Sequence, residues 1–201
     1  MSEFKHGPWT IKSVHDAYKN PWVTVEHHDV DRPDGEPGIY GVVRFANLAI
    51  GVLPLFADGT VPMVGQFRFA LGRDTWELPE GGGPKDQSPL DSAKRELKEE
   101  VGATAAHWHE FGQADLSNSV TDERAFLYLA WDLTEGEASP EPDEVFRYKR
   151  IALAELIADI HAGRVDDALT QLLVLTAVSK AMAGLLPEAP ASLILQAVRG
   201  R

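Results

Sequence analysis

The sequence contains no cysteine. The chain therefore forms no disulfide and uses no thiol chemistry, which fits a reducing compartment, and we predict a cytoplasmic protein. No apolar run approaches the roughly 18 residues that a membrane-spanning helix needs. The first ten residues, MSEFKHGPWT, also lack the apolar centre of a signal peptide. We therefore expect neither export nor a membrane partner.

Basic residues are also scarce. Lys and Arg number 19 against 31 Asp and Glu, which gives a net charge of −12. A surface that binds nucleic acid needs a basic footprint, so no nucleic-acid partner is predicted. A small anionic substrate is not excluded, because a bound cation can neutralise phosphate locally. The 201 residues, of which 44% are hydrophobic, suit one globular domain with an appended segment.

The most informative stretch covers residues 78–103 and reads LPEGGGPKDQSPLDSAKRELKEEVGA. It predicts a helix over residues 88–101. Ser88 is suited to cap the first turn through its side chain, and Pro89 fits the first helical position, where an N–H would have no partner. Gly102 tolerates the left-handed conformation that commonly follows the last turn.

Charges of opposite sign separate around this predicted helix. At about 100° per residue, an apolar stripe centred on Leu97 faces the core. Three carboxylates fall on one side of the stripe and the basic residues on the other: Glu96, Glu99 and Glu100 against Lys94, Arg95 and Lys98. Like charges at this spacing cost about 0.2–0.5 kcal/mol per pair, and a hard divalent cation is the usual reason to accept that cost. The spacing alone does not decide whether these carboxylates form a metal site or an ordinary solvated charged face.

Three glycines, Gly81, Gly82 and Gly83, precede the helix and predict a loop. Glycine lets the backbone pass close to a ligand, and a glycine loop that runs into a helix commonly faces phosphate. Three glycines also form ordinary turns, so the loop does not identify a site by itself.

Taken together, the stretch resembles the Nudix box. That motif has glycine, five residues, glutamate and seven residues, followed by Arg-Glu-apolar-x-Glu-Glu-x-Gly-apolar. Gly81 and the run from Arg95 to Ala103 match it, and the match covers 23 residues. One position departs, because Gln87 stands where the box has its first glutamate. On these residues the chain is identified as a member of the Nudix hydrolase superfamily.

The resemblance implies hydrolysis of a nucleoside diphosphate linked to another moiety, with Mg²⁺ as the cofactor and Mn²⁺ as the alternative. The implied metal ligands are Glu96, Glu99 and Glu100, joined by the backbone carbonyl of Glu80. Glu99 is also a candidate base. Arg95 is either a structural partner of these carboxylates or a group that contacts the substrate during catalysis.

The remainder of the chain resembles ADP-ribose pyrophosphatase-like members of the superfamily. Gln66-Phe67-Arg68 is similar to a Gln-x-Arg strand of that subgroup. Arg68 is then either a ligand for substrate phosphate or ribose, or half of a surface salt bridge. Glu77 is expected to face the same cleft, and Gly81 and Gly82 are expected to approach the substrate.

A late acidic segment supplies the candidate general base. In ADP-ribose pyrophosphatase-like members a glutamate on a late loop commonly activates the attacking water, and Glu144 matches best, with Asp143 and Glu141 as alternatives. A solvated loop would have the same acidic composition. Trp22 and Tyr40 either stack on a base or fill the core.

Strand patterns lie on both sides of the central helix. Alternating and β-branched runs predict strands over residues 21–31, 39–45, 49–56, 61–69, 76–78, 106–116, 125–133 and 145–151. Helical patterns follow over residues 153–161, 167–183 and 192–198. This order predicts an α+β fold, a Nudix-type α/β/α sandwich with a mixed β-sheet, an N-terminal β extension and C-terminal helices.

The predicted boundaries are residues 1–45 for the extension and 46–201 for the hydrolase domain with its C-terminal helices. Similar proteins dimerise through such an extension, so a homodimer is expected. The leading functional hypothesis is Mg²⁺-dependent cleavage of ADP-ribose to AMP and ribose 5-phosphate. GDP-mannose, another sugar nucleotide or a dinucleotide is an alternative substrate. A non-catalytic nucleotide sensor and an RNA 5′-end pyrophosphohydrolase are the alternative functions.

Overall fold

The computed structural model describes residues 3–139 and 146–200. The described residues form eleven strands and four helices. The strands are β1 (Phe4–His6), β2 (Trp9–Lys19), β3 (Val23–Asp31), β4 (Pro37–Phe45), β5 (Asn47–Leu55), β6 (Thr60–Arg68), β7 (Arg73–Glu77), β8 (Glu80–Pro84), β9 (Ala103–Asp115), β10 (Arg124–Glu135) and β11 (Arg147–Ala152). The helices are α1 (Pro89–Val101), α2 (Leu153–His161), α3 (Ala168–Met182) and α4 (Glu188–Arg199).

The first of two compact units contains the described residues up to 48 together with residues 114–124. Its sheet has the order β1-β2-β3-β4, and every neighbouring pair is antiparallel. The later segment adds to β4, where the amide of Val43 donates to the carbonyl of Val120 over 2.8 Å. The Asp122 carboxylate also accepts from the amide of Phe45 at 2.9 Å. A loop from the middle of the sequence thus completes a unit that the N-terminal strands begin.

The second unit contains residues 49–113 and the described residues from 125 onwards. One of its sheets has the order β8-β5-β10-β9, with β5 and β10 parallel, and the other is β11-β6-β7, whose pairs are antiparallel. Strand β5 is buried from Ile50 to its end at Leu55, as its apolar sequence requires.

Helices cover both faces of β5. A Cβ at Gly83 would meet Ile50 and the Ser92 side chain of α1 at 2.9 Å, so α1 lies on the face to which Ile50 points. A Cβ at Gly51, the next residue, would meet Leu169 and Leu173 of α3 at 3.0 Å. Because successive residues of a strand face opposite sides, α1 and α3 sandwich the sheet. The predicted mixed α/β/α architecture is confirmed.

The prediction for the glycine stretch is wrong. It is not a loop, because residues 80–84 form β8 beside β5. This strand is specified by the partner beside it, which single-sequence patterning does not contain. The segment before residue 21 contains β1 and the 11-residue strand β2, in keeping with the predicted N-terminal β extension. None of the described helices is long and apolar enough to cross a membrane.

Candidate active site

Helix α1 presents the carboxylates of the motif. Its end is the predicted one, since Gly102 has φ of 72° and its amide closes the last turn. Its start differs in one respect, because Ser88 is the N-cap residue but its side chain makes no capping hydrogen bond. Pro89 at the first helical position leaves one fewer amide to be capped.

Glu96 and Glu100 face β8. They are one helical turn apart, and only 7% and 8% of their surface is exposed. A Cβ at Gly81 would overlap the Glu96 carboxylate, so only glycine fits there with this geometry. The Glu100 carboxylate accepts the backbone amide of Glu80 at 3.1 Å. The glycine and the glutamates of the motif are therefore one packing unit.

Arg95 lies among the carboxylates and not opposite them. Its guanidinium donates to Glu99 at 2.7 Å, to Glu96 at 2.6 Å and to the carbonyl of Gly82 at 2.8 Å. The charges are therefore not separated at Arg95, because its long flexible side chain folds back over the helix, as expected for the structural partner of these carboxylates. Burial lowers the pKa of Arg95, but the attraction of Glu96 and Glu99 outweighs this and raises it overall.

A second acidic cluster lies beside the first. Glu77, Glu80 and Asp167 each place a carboxylate oxygen within 4.8 Å of the others. Arg68 pairs with two of them, donating from Nε to Glu77 at 3.1 Å and from Nη2 to Glu80 at 2.9 Å. Gln66 also donates to Glu77, at 2.6 Å. One Glu80 oxygen, Oε2, is buried without a hydrogen-bond partner among the described residues.

Electrostatics distinguish the members of this second cluster. Burial raises the pKa of Glu77, against the opposing attraction of Arg68. Burial, reinforced by the charges of Asp167 and Glu77, raises the pKa of Glu80 well above its usual range. For Arg68, burial lowers the pKa, and the combined attraction of Glu77, Glu80 and Asp167 more than offsets it. The Arg68 guanidinium thus binds two of the three carboxylates and offsets part of the repulsion within the cluster.

Helix α3 positions the third acid. Asp167 is its N-cap and accepts the amide of Thr170 at 2.7 Å. The buried Thr170 hydroxyl in turn accepts the amide of Leu78 at 2.9 Å, which ties the helix start to the segment between β7 and β8. Asp167 is not among the sequence-predicted site residues, although an Asp before a helical run is a recognisable capping signal.

An open cavity of about 390 Å³ lies over this cluster. Its walls come from the β6–β7 hairpin, from β8 and from the start of α3, and the lining residues are Arg68, Ala70, Leu71, Arg73, Thr75, Glu77, Glu80, Asp166, Asp167 and Ala168. Arg73 and Asp166 form an ion pair of 2.6 Å across its rim. The cavity has the size of a small-molecule site, and most of its lining residues have charged side chains.

The structure gathers most of the sequence-predicted residues in the second unit. Glu80 connects the two acidic clusters, since its amide binds Glu100 and its side chain binds Arg68. The candidate bases Glu144, Asp143 and Glu141 lie outside the described residues. Trp22 is 68% exposed and is therefore not a core residue, whereas Tyr40 is half-buried and donates its hydroxyl to the carbonyl of Ser119.

Two family models match the chain. The NUDIX domain model matches residues 46–172, and the model of the nucleoside diphosphate sugar hydrolase N-terminal domain matches residues 9–43. The chain belongs to the NUDIX family. The buried Glu96 and Glu100, and Gly81 packed against Glu96, thus belong to its Nudix box.

Two curated relatives are named ADP-ribose pyrophosphatase. An ADP-ribose pyrophosphatase of Bacillus subtilis is 31% identical over 144 residues, which covers 71% of this chain and 77% of that protein. An ADP-ribose pyrophosphatase of Mycobacterium tuberculosis is 38% identical over 92 residues, which covers 43% of this chain and only 42% of that protein. The predicted membership of the superfamily is confirmed, and the relatives indicate a pyrophosphohydrolase enzyme.

A solved structure supports the fold. A crystal structure of an ADP compounds hydrolase superposes with a TM-score of 0.77 and 20% identity, over 89% of this chain and 97% of that one. At this identity the likeness shows the shared Nudix fold.

Proposed function

We propose that the protein is a Mg²⁺-dependent hydrolase that cleaves ADP-ribose to AMP and ribose 5-phosphate. The observation that carries the proposal is the buried pair Glu96 and Glu100, held against β8 by the glycine at 81 and by the amide of Glu80. The names of the relatives from Bacillus subtilis and Mycobacterium tuberculosis support the choice of ADP-ribose.

The donor set fits a hard divalent cation. Glu96, Glu99 and Glu100 offer carboxylate oxygens on one surface of α1, the ligand type that Mg²⁺ prefers. The residues that would hold the ion are these three, together with the Glu80 carbonyl. A bound Mg²⁺ would neutralise charge on the diphosphate oxygens. Imidazole ligands, which would favour a softer metal, are absent from this group of residues.

The remaining roles belong to side chains around the cavity. We propose that Arg68 binds a substrate phosphate or ribose, because its planar fork already meets carboxylates at the cavity floor. Glu77 would position Arg68. Arg95, which bridges Glu96 and Glu99, would orient these ligands during catalysis. Glu144, with Glu99 as the alternative, would accept the proton of the attacking water.

The decisive variant is Glu100→Gln. A glutamine oxygen can still accept the Glu80 amide, so the fold should be retained while one negative oxygen ligand is lost. We expect Mg²⁺-dependent release of AMP to fall by about two orders of magnitude or more, measured by chromatography of the products. Glu155→Gln on the exposed side of α2 is the matched control and should be unaffected. Near-normal turnover by Glu100→Gln would refute the metal assignment.

A substrate panel tests the choice of ADP-ribose as the substrate. ADP-ribose, GDP-mannose, other sugar nucleotides and dinucleotides would be compared by kcat/KM with Mg²⁺ and with Mn²⁺. We expect the highest value for ADP-ribose. A higher kcat/KM for another compound would show that this compound, and not ADP-ribose, is the preferred substrate. The proposed reaction class would be unchanged. Calorimetric binding of ADP-ribose without any product would favour a nucleotide sensor instead.

A further inference from the structure

The cluster of Glu77, Glu80 and Asp167 lies in a cavity whose ionised side chains do not balance. Four carboxylates and two guanidiniums line this cavity, so its lining has two negative charges in excess when all are ionised. One of the guanidiniums, that of Arg73, is already paired with Asp166 on the rim, at 2.6 Å. The amino end of α3 adds only about half a positive charge. A single divalent cation would balance the excess.

One oxygen of the cluster, Oε2 of Glu80, itself indicates a ligand. This atom is buried, and within the part of the chain that the structure describes it has no hydrogen-bond partner. Only 11% of the Glu80 side chain is exposed, and Arg68 donates to its other oxygen, Oε1, at 2.9 Å. Buried carboxylates in proteins are paired or coordinate a metal, because an uncompensated oxygen is costly to remove from water.

Three secondary-structure elements hold the carboxylates close together. Glu77 ends β7, Glu80 begins β8 and Asp167 caps α3. Each places a carboxylate oxygen within 4.8 Å of the other two. Around an octahedral Mg²⁺ with bonds of about 2.1 Å, ligand oxygens are about 3.0 Å apart when adjacent and about 4.2 Å apart when opposite. The three side chains are therefore near enough to bind one ion together.

The two other carboxylates retain acceptor capacity for an ion. The helix cap uses one oxygen of Asp167, Oδ2, which accepts the amide of Thr170 at 2.7 Å. Oε2 of Glu77 accepts the Nε of Arg68 at 3.1 Å and is 3.4 Å from the Thr75 hydroxyl, a contact long enough to give way to an ion. Each carboxylate oxygen has two lone pairs, so a metal bond can be added while Arg68 and the cap stay in place.

We propose that Glu77, Glu80 and Asp167 bind a second divalent cation, Mg²⁺ or its substitute Mn²⁺. The ligand set contains only oxygen, which favours these hard ions over zinc. The site is separate from the carboxylates of α1, although Glu80 serves both, with its carbonyl assigned to the first ion and its side chain to the second. The cavity admits water, which completes the coordination. The proposal is independent of the substrate and of the reaction assigned above.

The number of Mn²⁺ ions bound by the full chain tests the site. Free Mn²⁺ gives a paramagnetic resonance signal that is lost on binding, so a titration counts the ions bound per chain. We expect Asp167→Asn to bind one Mn²⁺ fewer than the wild type, or to bind that ion at least tenfold more weakly, because one charged ligand is lost. Asparagine is also a good N-cap, so the start of α3 should be retained.

Asp166→Asn is the matched control for this count. It removes the same charge from the adjacent residue, which lines the cavity but is not a member of the trio. It should therefore bind Mn²⁺ like the wild type. Equal losses in Asp166→Asn and Asp167→Asn would overturn the proposal, because they would show a general effect of charge and not a metal bond.

Glu100→Gln distinguishes this site from the one on which the proposed function rests. This variant should lose the ion assigned to α1 and retain the ion that depends on Asp167. A failure of the proposed function would therefore leave the Asp167-dependent ion in place, whereas a failure of the present proposal would remove it alone.

Diffraction locates the ion without any variant. Crystals of the wild type soaked in Mn²⁺ should give an anomalous peak between the Glu80 and Asp167 carboxylates. Peaks confined to the carboxylates of α1, or equal Mn²⁺ counts in the wild type and Asp167→Asn, would overturn the proposal. A proton shared by Glu80 and Asp167 would then be the group that offsets their repulsion.

Discussion

At the residue scale, Gly81 controls where the Glu96 carboxylate lies. A Cβ at this position overlaps that carboxylate, while the rest of the Glu96 side chain can swing away. We therefore expect Gly81→Ala to displace the carboxylate without unfolding the protein. Because an active-site group misplaced by about 1 Å can cost about 10²-fold in rate, hydrolysis should fall by about that factor. Steady-state kinetics and a thermal melt would show the two effects separately.

The control for this substitution is Gly41→Ala. Gly41 is also a strand glycine, and a Cβ there meets nothing within 4 Å. Both its activity and its melting temperature should stay close to the wild-type values. If Gly81→Ala retained full activity, the close approach of residue 81 to Glu96 would have no functional meaning.

Two contacts of the candidate site differ in how far the sequence could predict them. The angular position of Arg95 places it on the opposite side of α1, but the motif makes it a candidate partner of the carboxylates, and its side chain is long enough to reach Glu99 and Gly82. Asp167 is 87 residues after Glu80, and only the packing of α3 near β8 brings the two carboxylates together. The angular position of a residue on a helix predicts the direction of its Cβ. It does not predict the position of the charged group at the end of a long, flexible side chain.

At the element scale, one hydroxyl links α3 to the segment that carries the acids. Thr170 is fully buried and accepts the amide of Leu78 at 2.9 Å. Thr170→Val keeps the shape of the side chain and leaves that amide without its acceptor. An unsatisfied buried donor costs about 1–3 kcal/mol, so the free energy of unfolding should drop by that amount in urea denaturation.

Thr176→Val on the same helix provides the comparison. Thr176 is half-buried, and we expect its substitution to change the free energy of unfolding by less than about 0.5 kcal/mol. A loss of equal size in both variants would show that the effect belongs to the helix and not to the Thr170–Leu78 hydrogen bond.

Elements with a strong local signal were predicted well, and elements specified by their neighbours were not. Helix α2 has the predicted limits, and α1 ends at Val101, just before Gly102, as the left-handed glycine signal indicates. Strand β8 reads as a loop because EGGGP has no strand propensity. It is a strand because Gly83 admits the close packing of Ile50 and Ser92, a non-local condition.

At the scale of the whole molecule, charge and exposed apolar surface act in opposite directions on self-association. Each chain has a net charge of −12, so two copies repel each other at low ionic strength. The first unit nevertheless exposes several large apolar side chains, whose burial between two copies would favour association. They include Phe4, Tyr18, Trp22 and Ile39. We therefore expect a homodimer that strengthens as salt screens the repulsion.

Trp22 provides the sharpest test of this homodimer, because it is 68% exposed in the turn between β2 and β3. Light scattering at physiological salt should give the wild type twice the 22.0 kDa mass of the chain. Trp22→Glu should shift the protein to the monomer mass, since it replaces apolar contact area with a charge of the repelling sign. Leu185→Glu is the control, because Leu185 is 64% exposed but lies in the second unit. If the Trp22→Glu variant remains a dimer at every salt concentration, the dimer interface does not include this turn.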